Sequence, residues 1–424
     1  MTVHVVGAGL AGLAAAVQAT GRGRRVRLYE GTGQAGGRCR SFFDAVLGRT
    51  IDNGNHLLLS GNRSARRFVE TIGSAAELTG PPTAQFDFID LTDRRRWRLD
   101  LGRGRLPFWL FSERARVPHT VLGDYLALAR LMLAGPNQTV AQIVPDDHPL
   151  YEALVLPLAI AALNAQPTEG AAALLGAVVR ETFLRGGAAC RPLMAARSLD
   201  AAFIDPALAW LAGRSVRAEF NQRLRGLEFG RGRIAALRFT DGSVAVGPED
   251  VVVLAVPPAA AAEIVPDLTV PLETRAILNA HFRVDGLPER VRPPLGLIGG
   301  LAEWIFVRGD VASTTTSAAD AGMDADADDL AQRLWQDVRV ALRLTGDMPR
   351  VRVIKERRAT YAQTPADVAR RPQPWTAWPN LFLAGDWVAG PLPATIEGAI
   401  RSGDRAAELA CGVEGAEKAG DGRR

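Results

Sequence analysis

The chain has 424 residues, 47% hydrophobic and 23% charged, a composition that excludes a disordered protein and suits two folded domains, each with its own core. Lys and Arg number 50 against 46 Asp and Glu, and lysine occurs only at Lys355 and Lys418, so arginine carries the basic balance. No basic run interleaved with aromatics points to nucleic acid, and Cys39, Cys190 and Cys411 are too scattered for a disulfide framework or a metal site, as in a protein of the reducing cytoplasm.

In chain order, residues 3–6 form a short buried-strand pattern, residues 10–20 an Ala-rich helix and residues 26–29 a second strand. Between strand and helix lies Gly7-Ala8-Gly9-Leu10-Ala11-Gly12, a GxGxxG, and Glu30 closes the second strand. The spacing alone is weak. Following a strand, opening a helix and answered by an acid, it predicts the βαβ unit that holds a dinucleotide. Gly7 permits the tight turn, Gly9 lets the backbone approach a pyrophosphate and Gly12 lets helix and strand lie close. The helix N-terminus offers amide donors and its positive dipole end to the phosphates. Glu30 suits both hydroxyls of an unphosphorylated ribose and repels a 2′-phosphate. The apolar residues 3–17 lack the basic lead of a secretion signal, and no apolar run reaches the roughly 20 residues that span a bilayer.

Further on, residues 63–211 read as mostly helical. Residues 251–256 are a β-branched run closed by Pro257-Pro258, and residues 381–384 another short strand ahead of Gly385-Asp386. These pieces predict one α/β, Rossmann-type nucleotide-binding domain assembled from residues 1–62, 205–270 and 350–411. Strand patterns at 277–284, 295–298, 304–308 and 311–316, with a helix at 330–342, predict an α+β substrate domain from residues 63–204 and 271–349. The polar stretch 412–424 is expected to be disordered. Pro393 should open a closing helix, turning the free amides of Thr395 and Ile396 toward the cofactor. His4, His56, His119, His148 and His281 make no metal spacing. Asp324, Asp326 and Asp328 echo a calcium loop, but Asp329 stands where that loop needs glycine.

Gly36-Gly37-Arg38 directly follows Glu30, and with this segment the chain resembles the flavin amine oxidase and phytoene desaturase superfamily. The resemblance implies non-covalent FAD, with Arg38 reaching the pyrophosphate. It further implies that Asp52-Asn53-Gly54-Asn55-His56 is the loop at the flavin face and that Leu224 begins the strand touching adenine. Ala255-Val256-Pro257 would close that site, Asp386 after Gly385 would lie near the ribityl chain, and Ala394 would join Thr395 and Ile396 at the flavin edge.

Within the superfamily the sequence is similar to the hydroxysqualene dehydroxylases of bacterial hopanoid biosynthesis. The similarity lies in the 52–56 loop, in Ala162-Leu163-Asn164-Ala165-Gln166-Pro167, in Gly385-Asp386-Trp387 and in residues 392–403. Asn55 replaces a more usual Gln, and Val388-Ala389-Gly390-Pro391 is not the commonest spacer. The resemblance implies replacement of a carbon-bound hydroxyl by hydrogen to give squalene. Hydroxide leaves poorly, so an acid must protonate it. His56 is the candidate, its ordinary pKa lying nearest neutrality, and Asp52 is second, with holding the loop as its other reading.

A long polyprenoid substrate needs an apolar tunnel and a route from the bilayer. Pro107-Phe108-Trp109-Leu110-Phe111, with Arg114 and Arg116, is a candidate membrane-dipping edge, on the inner face of the cell membrane. The apolar stretch 121–133 would either extend it or line the tunnel. The electron donor is not legible. Alternatives are a carotenoid-type desaturase on the same fold, an amine oxidase, and a non-enzymatic FAD-binding chaperone of the Rab-escort kind. Against amine oxidation, the strand at 277–284 offers Asn279 and His281 but no lysine.

Overall fold

A computed structural model describes residues 1–287 and 294–412. The tail expected to be disordered lies, from residue 413 on, outside the described residues. Thr2–Val6 is the centre of a five-stranded parallel sheet, with Arg25–Tyr29 and then Ala218–Glu219 on one side and Val251–Leu254 and then Leu381–Leu383 on the other. Strands buried on both faces need apolar residues without interruption, which is why Val3, Val5, Val6, Val252, Val253 and Leu254 fill them.

The opening helix, Leu10–Gly21, is buried almost all round, between this sheet and the closing helix, Ile396–Ala410. Its alanines make that approach close enough that a Cβ on Gly403 would collide with the Ala11 carbonyl. A residue of ordinary size there would push the helices apart.

The second sheet has seven strands, in the order Val351–Tyr361, Thr274–Arg283, Val311–Thr316, Trp304–Arg308, Leu295–Ile298, Gln85–Asp90 and Arg96–Asp100. All its pairings are antiparallel except that of Leu295–Ile298 with Gln85–Asp90. One face packs on the helix Ala327–Leu342 through Leu278, Ala280, Phe282, Ile305 and Val307. The other face turns Phe88, Trp304 and Phe306 toward the helices of residues 126–190.

The structure adds to one sequence reading and corrects three. The stretch 63–211, read as mostly helical, also holds two strands of the second sheet: Gln85–Asp90, with Phe86 and Phe88 in and Gln85 and Asp87 out, and Arg96–Asp100. Val351–Tyr361, assigned to the nucleotide domain, is hydrogen bonded into that same sheet beside Thr274–Arg283. The helix Arg63–Thr71 and the segment Leu199–Ile204, assigned to the substrate domain, bury Ala65, Phe68, Ala202 and Phe203 in the nucleotide-domain core. Finally, Pro393 does not open the closing helix. Thr395 is its N-cap, Oγ1 accepting from the Gly398 amide at 3.1 Å, and Pro393 lies two residues outside. A hydroxyl that takes an orphan amide makes the better cap, which proline cannot supply.

Candidate functional site

At the first turn Gly7 has φ +103, and a Cβ there would collide with the Ala255 carbonyl, so the turn is open to glycine alone. Gly9 caps the opening helix with no side chain, and a Cβ built on it would meet nothing within 4 Å. The first-turn amides of Leu10 and Ala11 therefore face a cradle of open space, the feature a pyrophosphate requires. Gly36 and Gly37 form its other wall: Gly36 donates its amide to the Ala8 carbonyl at 2.8 Å and bridges to Gly9 as a parallel pair.

Glu30 is held at the rim. One carboxylate oxygen accepts from the Ala8 amide at 2.8 Å, the other from the Thr32 amide and hydroxyl, each at 2.9 Å. A carboxylate has about four acceptor positions, so capacity remains for a ribose hydroxyl. Thr32 was not read as part of this site, although its spacing of two from Glu30 is that of a local side-chain turn.

Arg38 and Asp386, 348 positions apart, meet in a forked ion pair of 2.7 and 2.8 Å, and Arg38 also donates to the Ala359 carbonyl at 2.7 Å. Asp386 is 6% exposed and Arg38 46%, so the pair presents the guanidinium outward over a buried anion. Gly385 is tied to the closing helix by its amide, which donates to Ser402 Oγ at 3.0 Å. Leu224 begins the strand Leu224–Gly230, while Ala255 and Pro257 follow Val251–Leu254. The Ala255 amide is spent on the Val6 carbonyl at 2.8 Å, and its carbonyl and side chain pack against Gly7 and Gly12, so it holds the glycine turn in place.

The 52–56 loop crosses toward the second sheet. Asp52 is 2% exposed and fully engaged: Oδ1 accepts from Ser41 Oγ at 2.7 Å and the Leu199 amide at 2.9 Å, and Oδ2 pairs with Arg308 at 2.6 Å. Three donors hold this carboxylate in place, the geometry of its loop-holding reading, while Asp52 also lines the concavity beside His56. Asn55 does not extend into the nucleotide domain; Nδ2 donates to Thr315 Oγ1 at 3.0 Å and approaches the Thr314 carbonyl at 3.3 Å. Thr315 in turn donates to Asn279 Oδ1 at 2.9 Å. Asn55 Oδ1 is buried without a protein partner among the described residues, an acceptor awaiting a donor.

His56 Nδ1 lies 2.9 Å from the Gly54 carbonyl, which can only accept, so the proton of the neutral ring sits on Nδ1 and Nε2 is left as an acceptor. Burial holds its pKa below the usual 6.5. Asn55 and His56 line a concavity with Met194, Leu199, Phe306 and Arg308. His281 is buried and neutral, pushed down to about 4 by desolvation, with Nδ1 2.7 Å from Ser313 Oγ. Just before the strand Trp304–Arg308, Glu303 accepts from the Ser317 amide at 2.9 Å, and burial pushes it up to about 7. Sequence reading missed Thr315, Arg308 and Glu303, polar residues in or beside strand patterns whose partners are remote in the chain.

Two distinctive segments find structural roles. Asn164, at φ +49, ends the helix Leu156–Leu163; its Nδ2 donates to Thr360 Oγ1 and its Oδ1 accepts from the Ala318 amide. Glu397, 2% exposed, accepts from the Ser64 and Ala65 amides and from Arg401, so it caps the helix Arg63–Thr71 from outside. The amides of Thr395 and Ile396 have no acceptor among the described residues, and that of Ala394 is taken by Gln363 at 2.7 Å.

Comparison with known proteins adds the following. The flavin containing amine oxidoreductase family matches residues 10–285 and 297–411. A hydroxysqualene dehydroxylase of Rhodopseudomonas palustris is 50% identical over 410 residues, and one of Sinorhizobium fredii 49% identical over 408; each alignment covers 96% of this chain and 98% of the relative. A third, of Zymomonas mobilis, is 44% identical over 408 residues, with the same coverage. Among solved structures, a putrescine oxidase variant has a TM-score of 0.69 at 14% identity, covering 97% of this chain and 100% of its own. A putative protoporphyrinogen oxidase of an Exiguobacterium species has a TM-score of 0.65 at 16% identity, covering 96% and 98%. At such identities these two establish the fold alone.

Proposed function

The chain belongs to the flavin containing amine oxidoreductase family, and on that premise we infer that it uses FAD to replace the hydroxyl of hydroxysqualene by hydrogen, giving squalene. The observation that carries this reading is the near-full-length identity of 44–50% to three hydroxysqualene dehydroxylases. The cradle at Gly9, the rim carboxylate of Glu30 and the Arg38–Asp386 pair fit a dinucleotide at one end of the site. The Thr395 and Ile396 amides, at a helix N-terminus, suit the electron-rich edge of a reduced isoalloxazine at the other.

When bound and reduced, FAD supplies the hydride. The chain's own task is to hold the hydrocarbon, exclude water and protonate the departing oxygen so that it leaves as water. Met194, Leu199 and Phe306 give the concavity beside His56 apolar walls. Asn55 Oδ1 is free to accept from the substrate hydroxyl, orienting its lone pairs toward a donor. His56 is that donor in this reading: in the imidazolium form Nδ1 stays on the Gly54 carbonyl and Nε2 gives up its proton. Since burial lowers its pKa, the charged ring is scarce at neutrality and a stronger acid when formed. Turnover should therefore rise as pH falls toward that lowered value, and His56→Gln should abolish the rise. Unchanged turnover in His56→Gln with FAD still bound would remove His56 from the mechanism.

Amine oxidation is disfavoured by lysine placement. Lys355 Nζ donates to the Met323 carbonyl at 3.2 Å, near the start of the helix Ala327–Leu342, and Lys418 lies outside the described residues. A water-insoluble substrate places the enzyme at a lipid surface, so peripheral association with the inner face of the cell membrane is part of the proposal. Among the described residues no helix is long and apolar enough to cross a membrane. The decisive assay is anaerobic incubation of the reduced holoenzyme with hydroxysqualene, followed by analysis for squalene. Absence of squalene with oxidation of a polyene precursor would replace this reading by the desaturase.

A further inference from the structure

Away from the flavin site, the segment 101–106 lies against the 186–188 turn. The Ala188 amide donates to the Gly104 carbonyl at 3.0 Å, and Gly186 sits so close that a Cβ there would press on the backbone of Gly104 and Arg105. On one side of this contact is a concavity lined by Ser60, Arg66, Pro82, Arg103, Gly187 and Arg191. Arg103 and Arg191 have no acidic partner among the described residues. Arg66 has one acidic partner, Glu70 at 3.4 Å in an exposed, one-turn pair, and its Nη1 also donates to the Ser60 carbonyl at 3.3 Å. Arg66, Arg103 and Arg191 thus line one concavity with a single, exposed carboxylate partner among them, a locally cationic surface.

On the other side the surface turns apolar. Trp109 is buried edge-on against Tyr125, their rings 5.3 Å apart. That anchor fixes the turn Phe108–Phe111 so that Phe108 and Phe111 stand out, 68% and 74% exposed. Leu106, Leu184, Val121 and Leu126 are exposed around them. Contiguous large apolar side chains are not left in water without an occupant. The arginines next to them identify its chemistry: a face that is apolar at its tip and cationic at its shoulder matches a bilayer with anionic headgroups.

We propose that the Arg66–Arg103–Arg191 concavity binds the phosphate of an anionic phospholipid while Phe108, Phe111 and Leu106 enter the acyl layer. This rests on the polyprenoid reading only for its purpose, not for its chemistry. Guanidinium groups match phosphate oxygens in paired hydrogen bonds, which an isolated ammonium does not. The phosphate then sets the depth and tilt of the apolar edge, one fixed docking pose in place of a loose hydrophobic landing.

The test is flotation of the FAD-loaded full chain with phosphatidylcholine vesicles, with and without phosphatidylglycerol. Wild type should bind the anionic vesicles far better. The double variant Arg103→Ala/Arg191→Ala should lose about 30-fold in that affinity, from about 1 kcal/mol per basic group at an anionic surface. Its turnover of detergent-dispersed substrate should be unchanged, which shows that it folds. Phe108→Ser/Phe111→Ser should weaken binding to both vesicle types. Equal binding of wild type to neutral and anionic vesicles, or undiminished binding by the arginine variant, overturns the proposal. So does calorimetric binding of inorganic phosphate without any binding of anionic vesicles, which would make free phosphate the ligand. A wild type that floats with anionic vesicles but forms no squalene would sink the functional reading and leave this one standing.

Discussion

The two ends of the candidate site are built in different ways. At the nucleotide end the working groups are backbone: a turn at Gly7, open amides after Gly9 and a second wall at Gly36 and Gly37, with Glu30 fixed by the Ala8 amide. At the flavin-face end they are side chains, relayed from Asn55 to Thr315 to Asn279 and from Asp52 to Arg308. Backbone sites tolerate no change of shape, whereas the neutral relay from Asn55 through Thr315 to Asn279 tolerates loss of a member at the cost of one hydrogen bond. The nucleotide end is therefore the more rigid and the other the more tunable.

Substitutions can break or sharpen that contrast. The largest effect should come from Gly7→Ala, which forces a side chain into φ +103 and against the Ala255 carbonyl. A loss of about 3 kcal/mol or more is expected, with protein that purifies colourless. Full flavin absorbance in that variant would break the backbone account. Asp52→Ala should cost about 3 kcal/mol in urea unfolding, because it strands Arg308 and two further donors. Normal stability with abolished turnover would place Asp52 in the chemistry.

Glu303 tests the same end through pH. Its folded pKa of about 7 lies above the ordinary 4.5, so folding favours the protonated acid. The stability it contributes is complete below pH 4.5 and is lost as pH rises through 7. Glu303→Gln should match wild type at acid pH and exceed it by about 3 kcal/mol above neutrality, read by unfolding at several pH values. A constant gap would sink this. The smallest effect belongs to Thr315→Val, which breaks the relay to Asn55 for about 1 kcal/mol. It should shift the visible flavin spectrum while leaving FAD content intact. Loss of FAD would show that the relay, too, is part of the binding frame.

That contrast also explains what could be read from the chain alone. Gly7, Gly9, Gly12 and Glu30 lie within one supersecondary unit, so sequence spacing determines their geometry, and the strand limits near 295–298, 304–308 and 311–316 follow from short apolar or β-branched runs. Arg308, Thr315 and Glu303 acquire their roles from partners brought by tertiary pairing, and nothing local marks them. The domain borders failed for a related reason. Val351–Tyr361 is a strand by its own pattern, but which sheet it joins depends on the free edge of Thr274–Arg283. Asp87 and Arg98 obscured Gln85–Asp90 and Arg96–Asp100, since their ion pair lies on the exposed face of strands whose other face is apolar.

The parallel sheet has one strand from residues 2–6 at its centre and its outermost strand from residues 381–383, and Arg38 waits for Asp386. A ribosome adding some 5–20 residues each second takes on the order of half a minute to make the intervening stretch. Throughout that time the first βαβ unit lacks its last strand, its closing helix and the anion that holds its arginine. FAD retention is therefore expected only once residues 381–410 have folded onto the first βαβ unit, and a chain cut before residue 381 should purify without flavin absorbance.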